Sequence, residues 1–189
     1  MIRILVILIA LFVGSLLAAE LESVEIKYDG GRYKLVSESQ LAAPIKAVFD
    51  VLIDYDKFNQ ISSVYRESGY TDPAPDGTPQ VYTHIRGCIL FFCKSIRRLE
   101  RLEISPPFYI RATVLPEHSD FNFSVSQWDL ESKDGGTYVT YSLEMEPAFW
   151  VPPVIGPWAI QRRLERDAQP ALDRIERIAQ ENITIRTAN

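Results

Sequence analysis

The chain has 189 residues, with 20 Lys+Arg against 25 Asp+Glu and a net charge of −5, which is one domain's worth of sequence with an acidic balance. That balance argues against nucleic acid, whose binders present a basic face to displace phosphate counterions. With 47% hydrophobic residues the chain can build a full core without help from metals or a dense disulfide framework.

The chain opens with MIRILVILIALFVGSLLAAE, in which Arg3 is the only charge before Glu20 and Ile4 to Val13 is an unbroken apolar run. This pattern is that of a secretory signal, spanning residues 1–19, since a membrane-crossing helix needs about 20 apolar residues and this run is interrupted at Gly14 and Ser15. The small pair Ala18 and Ala19 places the cut after Ala19; Leu17 two positions earlier is not small, so an uncleaved N-terminal anchor stays open. Either way the expectation is an exported protein, periplasmic or secreted, with one domain over residues 20–189.

After the signal, VEIKYDGGRYKLVSESQ reads as two extended runs about Asp29-Gly30-Gly31, where glycine supplies the positive φ of a tight hairpin. Ala43 and Pro44 open a helix whose apolar stripe is Val48, Val51 and Leu52. Asp54-Tyr55-Asp56 breaks it, and Lys57 to Ile61 gives a second short helix. Six strands follow, at Val64 to Thr71, Gln80 to Phe92, Lys94 to Ser105, Tyr109 to Leu115, Phe121 to Glu131 and Tyr138 to Glu146, separated by Pro-, Gly- and Asp-rich turns. KSIRRLERLEI is assigned to a strand on context alone, because its apolar residues recur every three positions. In Phe121 to Glu131 the apolar parity changes between Val125 and Trp128, which predicts a bulge near Ser126 and Gln127. The chain closes with a long amphipathic helix carrying Ile160, Leu164, Ala168, Leu172, Ile175 and Ala179 on one stripe, with Pro170 inside it.

The stretch Ser37 to Glu181 resembles the SRPBCC superfamily of START-like, polyketide cyclase-like and coenzyme Q-binding-like proteins, through the helix opener APIKAVFDVLIDYDKFNQ, the strand-turn-strand LERLEISPPFYIRAT, and GGTYVTYSLEMEP ahead of the closing helix. The resemblance implies an α+β helix-grip fold: a curved antiparallel sheet of about six or seven strands wrapped on the C-terminal helix, with two short helices after the first strand. It also implies a cavity between sheet and helix. It implies no catalytic signature, and fold does not fix function.

A cavity of this kind removes an apolar ligand from water at about 25 cal/mol per Å2. Periodicity nominates Ile85, Phe123, Tyr141 and Leu143 from strands and Ile160 and Leu164 from the helix as its lining, against the alternative that they fill a solid core. PAFWVPPVIGPW, Pro147 to Trp158, is too proline-rich for regular structure; in a helix-grip fold its Phe149, Trp150 and Trp158 sit at the cavity mouth, where they meet a ligand or a membrane surface, or pack as a stiff connector. The clusters Lys94, Arg97, Arg98, Arg101 and Arg162, Arg163, Arg166 are interleaved with Glu100, Glu103, Glu165 and Asp167 and read as solvated, charge-balanced faces.

Catalytic groups are sparse. His118-Ser119-Asp120 has the residue types of a hydrolytic triad, but consecutive residues cannot converge as nucleophile, base and orienter. His84, with Tyr82 and Tyr141 as neighbours, is the one candidate for acid-base work in a cavity, against a plain satisfied histidine. Two His and two Cys without carboxylates at ligand spacing form no metal site, and no cofactor is expected. GCILFFC holds both cysteines; in an oxidising compartment Cys88 and Cys93 read as a disulfide, with two reduced thiols as the alternative, and the bridge would present Phe91 at the tip between two strands, close to the cavity rim. The sequence thus points to a non-enzymatic carrier of a lipid, isoprenoid quinone or hydrophobic metabolite. A cyclase or dehydrase acting on a polyketide-like substrate, and an interaction module with a closed cavity, are the alternatives.

Overall fold

The computed structural model describes residues 19–89, 92–152 and 155–188. Strands β1 (Glu20–Asp29) and β2 (Arg32–Leu41) form the opening hairpin, turning on Gly30 and Gly31 at φ +56° and +97°, the left-handed backbone that the two-residue turn requires. Helix α1 (Ile45–Leu52) starts behind Pro44 and buries Ala47, Val48, Phe49, Val51 and Leu52. A single 3-10 turn (Tyr55–Lys57) leads into the short α2 (Phe58–Ile61). Then come β3 (Tyr65–Thr71), β4 (Gln80–Ile89), β5 (Phe92–Ser105), β6 (Tyr109–Val114), β7 (Phe121–Lys133) and β8 (Gly136–Pro147), and α3 (Gly156–Ala188) closes the chain.

All eight strands lie in one antiparallel sheet in the order β1-β2-β8-β7-β6-β5-β4-β3. This is the curved sheet on a long C-terminal helix expected of the helix-grip fold; its eight strands are the two hairpin runs and the six strands read along the chain, more than the six or seven that the resemblance implies. Register fixes which residues face the helices. One inward row runs Leu35, Leu143, Ser126, Ala112, Leu102 across five strands; the next runs Ser37, Tyr141, Trp128, Ile110, Ile104. Leu41, Val81, Leu102, Ile110, Ala112, Leu130 and Val139 from the sheet join the apolar residues of α1 and α2, and Leu172, Ile175 and Ala179 of α3, in one buried core.

Two strand readings are refined by the register. β5 is a strand, and it turns Ile96, Arg98, Glu100, Leu102 and Ile104 inward; the period of two was masked because two of those five positions are charged. In β7 the phase does change, but between Phe121 and Phe123 rather than at Ser126 and Gln127. The inward residues after the shift are Ser124, Ser126, Trp128 and Leu130, so the serines carry the buried parity and the apolar Phe123 and Val125 carry the other. Pro170 lies within a continuous α3.

Candidate functional site

The packing of α3 on the sheet is uneven along its length. Its buried apolar residues Leu172, Ile175 and Ala179 all lie in the C-terminal half, whereas Ile160, Leu164 and Ala168 of the same stripe are only partly buried and stand outside the core cluster. The concave face is lined by Ile85 and its partner Ile96, by Tyr141 stacked on Trp128 with ring centroids 4.1 Å apart, and by Leu143 beside Leu35. Small buried residues, Ser37, Ser39, Ser124 and Ser126, alternate among them and leave the face thinner than an all-aliphatic one.

Arg98 and Glu100 sit in the middle of this face. Their side chains are 13% and 2% exposed, and the Arg98 guanidinium donates to the Glu100 carboxylate. Thr83 is the cross-strand neighbour of Arg98, and Tyr65 that of Ile85. An aromatic chain from α2 positions the tyrosines: Tyr55 stacks on Phe58 at 4.1 Å, and Phe58 meets Tyr65 edge-on at 5.4 Å. Burial opposes the Arg98 charge, yet the Glu100 carboxylate, with Tyr65, Tyr141 and Tyr55 nearby, holds the guanidinium above its usual pKa. Burial pushes the hydroxyls of Tyr65 and Tyr141 up, so both stay protonated donors; for each, Arg98 pulls the other way. Among the described residues, Arg98 Nε, Thr83 Oγ1 and Ser124 Oγ are buried with no hydrogen-bond partner. Unpaired polar atoms on a concave face are free to bind the polar part of a guest.

Several nominated residues fall elsewhere. Phe123 is on the outer face, across from Glu146 and under Arg32, whose guanidinium carbon lies 4.5 Å from its ring centroid; it faces away from α3 because the register shift at β7 precedes it. His84 is also on the outer face, paired with Arg97 and Glu67 across the strands, so it cannot reach Tyr141 in the interior. With His118, Tyr82 and Leu99 it lines an open outer groove of about 520 Å3. The basic cluster on β5 is split: Arg98 is buried, Arg97 is outside, Arg101 pairs with Asp76, and Lys94 lies 4.2 Å over the Phe149 ring. That last contact joins the β4–β5 tip to the connector before α3. Phe149 packs inward against Phe121, while Trp150 and Trp158 are 77% and 62% exposed. Cys88 and Cys93 are cross-strand partners bridged at an S–S distance of 2.03 Å; Phe91 lies outside the described residues. Arg98, Glu100, Thr83, Tyr65 and Trp128 were not anticipated as lining. Projecting a period of two backward from Leu102 and Ile104 would have found the first two.

Residues 32–180 match the family described as "Polyketide cyclase / dehydrase and lipid transport", and the chain belongs to that family, within the SRPBCC superfamily. Among solved structures it is similar to the Zhui aromatase/cyclase from Streptomyces sp. R1128 (15% identity, 80% of this chain and 96% of that one, TM-score 0.64). It is likewise similar to human STARD10 (12% identity, 88% and 76%, TM-score 0.63) and to a STAR-related lipid transfer protein from Xanthomonas axonopodis (16% identity, 83% and 98%, TM-score 0.60). At these identities the likeness is one of fold. No curated protein matches the sequence.

Proposed function

We propose that the protein is an exported, non-enzymatic carrier of an amphipathic molecule, a lipid, isoprenoid quinone or similar metabolite, held between the concave sheet and the first half of α3. The observation that carries this reading is the unevenness of α3: one continuous apolar stripe is buried at Leu172, Ile175 and Ala179 and left half-open at Ile160 and Leu164. The apolar body of the ligand lies against Ile85, Tyr141, Leu143, Ile160 and Leu164, and its polar end meets Arg98, Thr83 and Tyr65. Export is supported by the signal-like opening and by the bridged cysteines, which suit an oxidising compartment. Trp150, Ile155 and Trp158 are exposed on or next to the connector whose Phe149 Lys94 covers, and they form the face that would meet a membrane surface during loading.

The test is native mass spectrometry of protein purified from its own envelope, followed by organic extraction and uptake from a lipid panel. A stoichiometric lipid or quinone adduct is expected; a clean unliganded mass with no uptake rejects the carrier. The cyclase or dehydrase reading keeps one observation in its favour, the buried Arg98–Glu100 pair among protonated tyrosines, which could polarise a substrate carbonyl. Turnover of a poly-β-keto substrate that Arg98→Met abolishes while binding survives would move the assignment to it.

A further inference from the structure

Helix α3 grips the backbone at Ala19 and Leu21, just ahead of and within β1. Ala19 is 6% exposed and belongs to the main core cluster. Gln169 Nε2 donates to the Ala19 carbonyl at 2.7 Å, and Gln169 Oε1 accepts from the Leu21 N–H at 3.2 Å, so one amide grips the backbone on both sides of Glu20. About two turns further on, Glu176 brings a carboxylate to the same place. It accepts from the backbone N–H of Ala42 at 2.5 Å, and the Ala19 N–H is near enough to favour the same carboxylate.

Glu176 is 5% exposed, and none of the ion pairs among the described residues includes it. Burial pushes its carboxyl pKa up, against the pull of the Ala42 and Ala19 N–H groups and with the help of Asp173. A neutral glutamine would serve two amide donors at lower desolvation cost than a carboxylate. A carboxylate fits this position if one of its partners is a cation.

We propose that the exported chain is cut between Ala18 and Ala19, and that Glu176 binds the ammonium group this creates. Hydrolysis of that amide bond consumes one water, leaves a carboxylate on Ala18, and leaves a protonated amine on the Ala19 nitrogen, beside the Glu176 carboxylate. The sequence reading places the cut after Ala19, yet both alanines have a leucine two positions earlier, Leu16 or Leu17, so the preference between them is slight. The packing favours the other cut: one after Ala19 discards the residue that Gln169 and the core hold. The inference rests on the reading of residues 1–19 as an export signal.

Two measurements test it. The intact mass of protein recovered from the envelope should correspond to a chain beginning at Ala19. A chain beginning at Glu20 overturns this inference and leaves export standing, whereas a full chain still carrying Met1 overturns the export reading with it. In the protein beginning at Ala19, the α-amine should titrate by NMR above the usual range of about 7.7–8.0, and Glu176→Gln should lower it by about one unit or more. An amine whose titration is the same in wild type and Glu176→Gln, with both variants folded, shows that Glu176 serves Ala42 alone and overturns the pairing.

Discussion

Arg98 and Glu100 stand two residues apart on β5 and turn to the same concave side of the sheet, where they are the charged pair among apolar and hydroxyl side chains. A buried pair of this kind adds little net stability, because the attraction is offset by desolvation, but removing one member leaves an uncompensated charge. Glu100→Gln or Arg98→Met is therefore expected to cost about 3–5 kcal/mol, lowering Tm by roughly 2–4 °C per kcal/mol. The double variant Arg98→Met/Glu100→Leu should regain most of it while losing uptake of ligands with a polar end. Calorimetry of the four proteins decides it; single variants within about 0.5 kcal/mol of wild type would mean that the pair is solvated.

The two halves of α3 should respond differently to truncation. Ile175→Ala empties a fully packed site and is expected to cost about 2–5 kcal/mol. Leu164→Ala removes a side chain that is only partly buried, so it should cost under about 1 kcal/mol yet reduce the lipid recovered with the protein. Urea unfolding and organic extraction of both variants check this. If Leu164→Ala destabilises as much as Ile175→Ala, the first half of α3 is core and the carrier reading fails.

The architecture was legible because its punctuation is strong: Gly30-Gly31, Pro44, the Pro-rich turn at 72–79 and the stripe on α3 each mark a boundary that register and burial respect. The inward parity was legible only where inward residues are apolar, as at Ile85, Tyr141 and Leu143. Where the concave face carries charge or hydroxyl, at Arg98, Glu100, Ser124 and Ser126, a rule that equates apolar with inward picks the wrong parity. It placed Phe123 inside, when the face it covers is the outer one beside Arg32. The positions that misled the pattern are the ones that give the interior its polar centre.

Alkaline pH should unfold the protein through its buried phenols. Burial, with Tyr28 alongside, pushes Tyr33 from 10.0 up to about 12, and burial raises Tyr55, Tyr65 and Tyr141 as well. A tyrosine whose folded pKa exceeds its unfolded one favours the folded state fully below pH about 10, and that contribution is lost as pH climbs from about 10 through the folded value, at about 1.4 kcal/mol per unit of difference. Denaturant midpoints should hold steady up to about pH 10 and then fall, with tyrosinate absorbance rising alongside unfolding. Absorbance that rises completely while the protein stays folded would contradict the burial of these hydroxyls.

The bridge between Cys88 and Cys93 closes a short ring, so it restricts the unfolded chain by only about 2 kcal/mol. Reduction should add two hydrogens to the mass and lower Tm by roughly 4–8 °C without unfolding the sheet at room temperature. Its larger effect is local, because the tip it fixes carries Lys94 against Phe149. Cys88→Ser/Cys93→Ser should slow ligand uptake more than it alters the final amount bound; equal kinetics with and without the bridge would limit it to a staple.

Trp150 and Trp158 offer the sharpest separation of stability from function. Each exposes most of its ring, so replacing both with alanine removes little packing and should shift stability by no more than about 0.5 kcal/mol. At a bilayer interface the same two rings would bury apolar surface, and losing them should weaken association with phosphatidylglycerol-containing vesicles by about tenfold or more, equivalent to at least about 1.4 kcal/mol. The nearby Lys94 adds an attraction to anionic headgroups that salt screens, so binding should weaken further as ionic strength rises. Cosedimentation of wild type and Trp150→Ala/Trp158→Ala with vesicles measures both effects. Equal sedimentation of the two proteins would remove the membrane-facing role of the connector and leave it a structural link between β8 and α3.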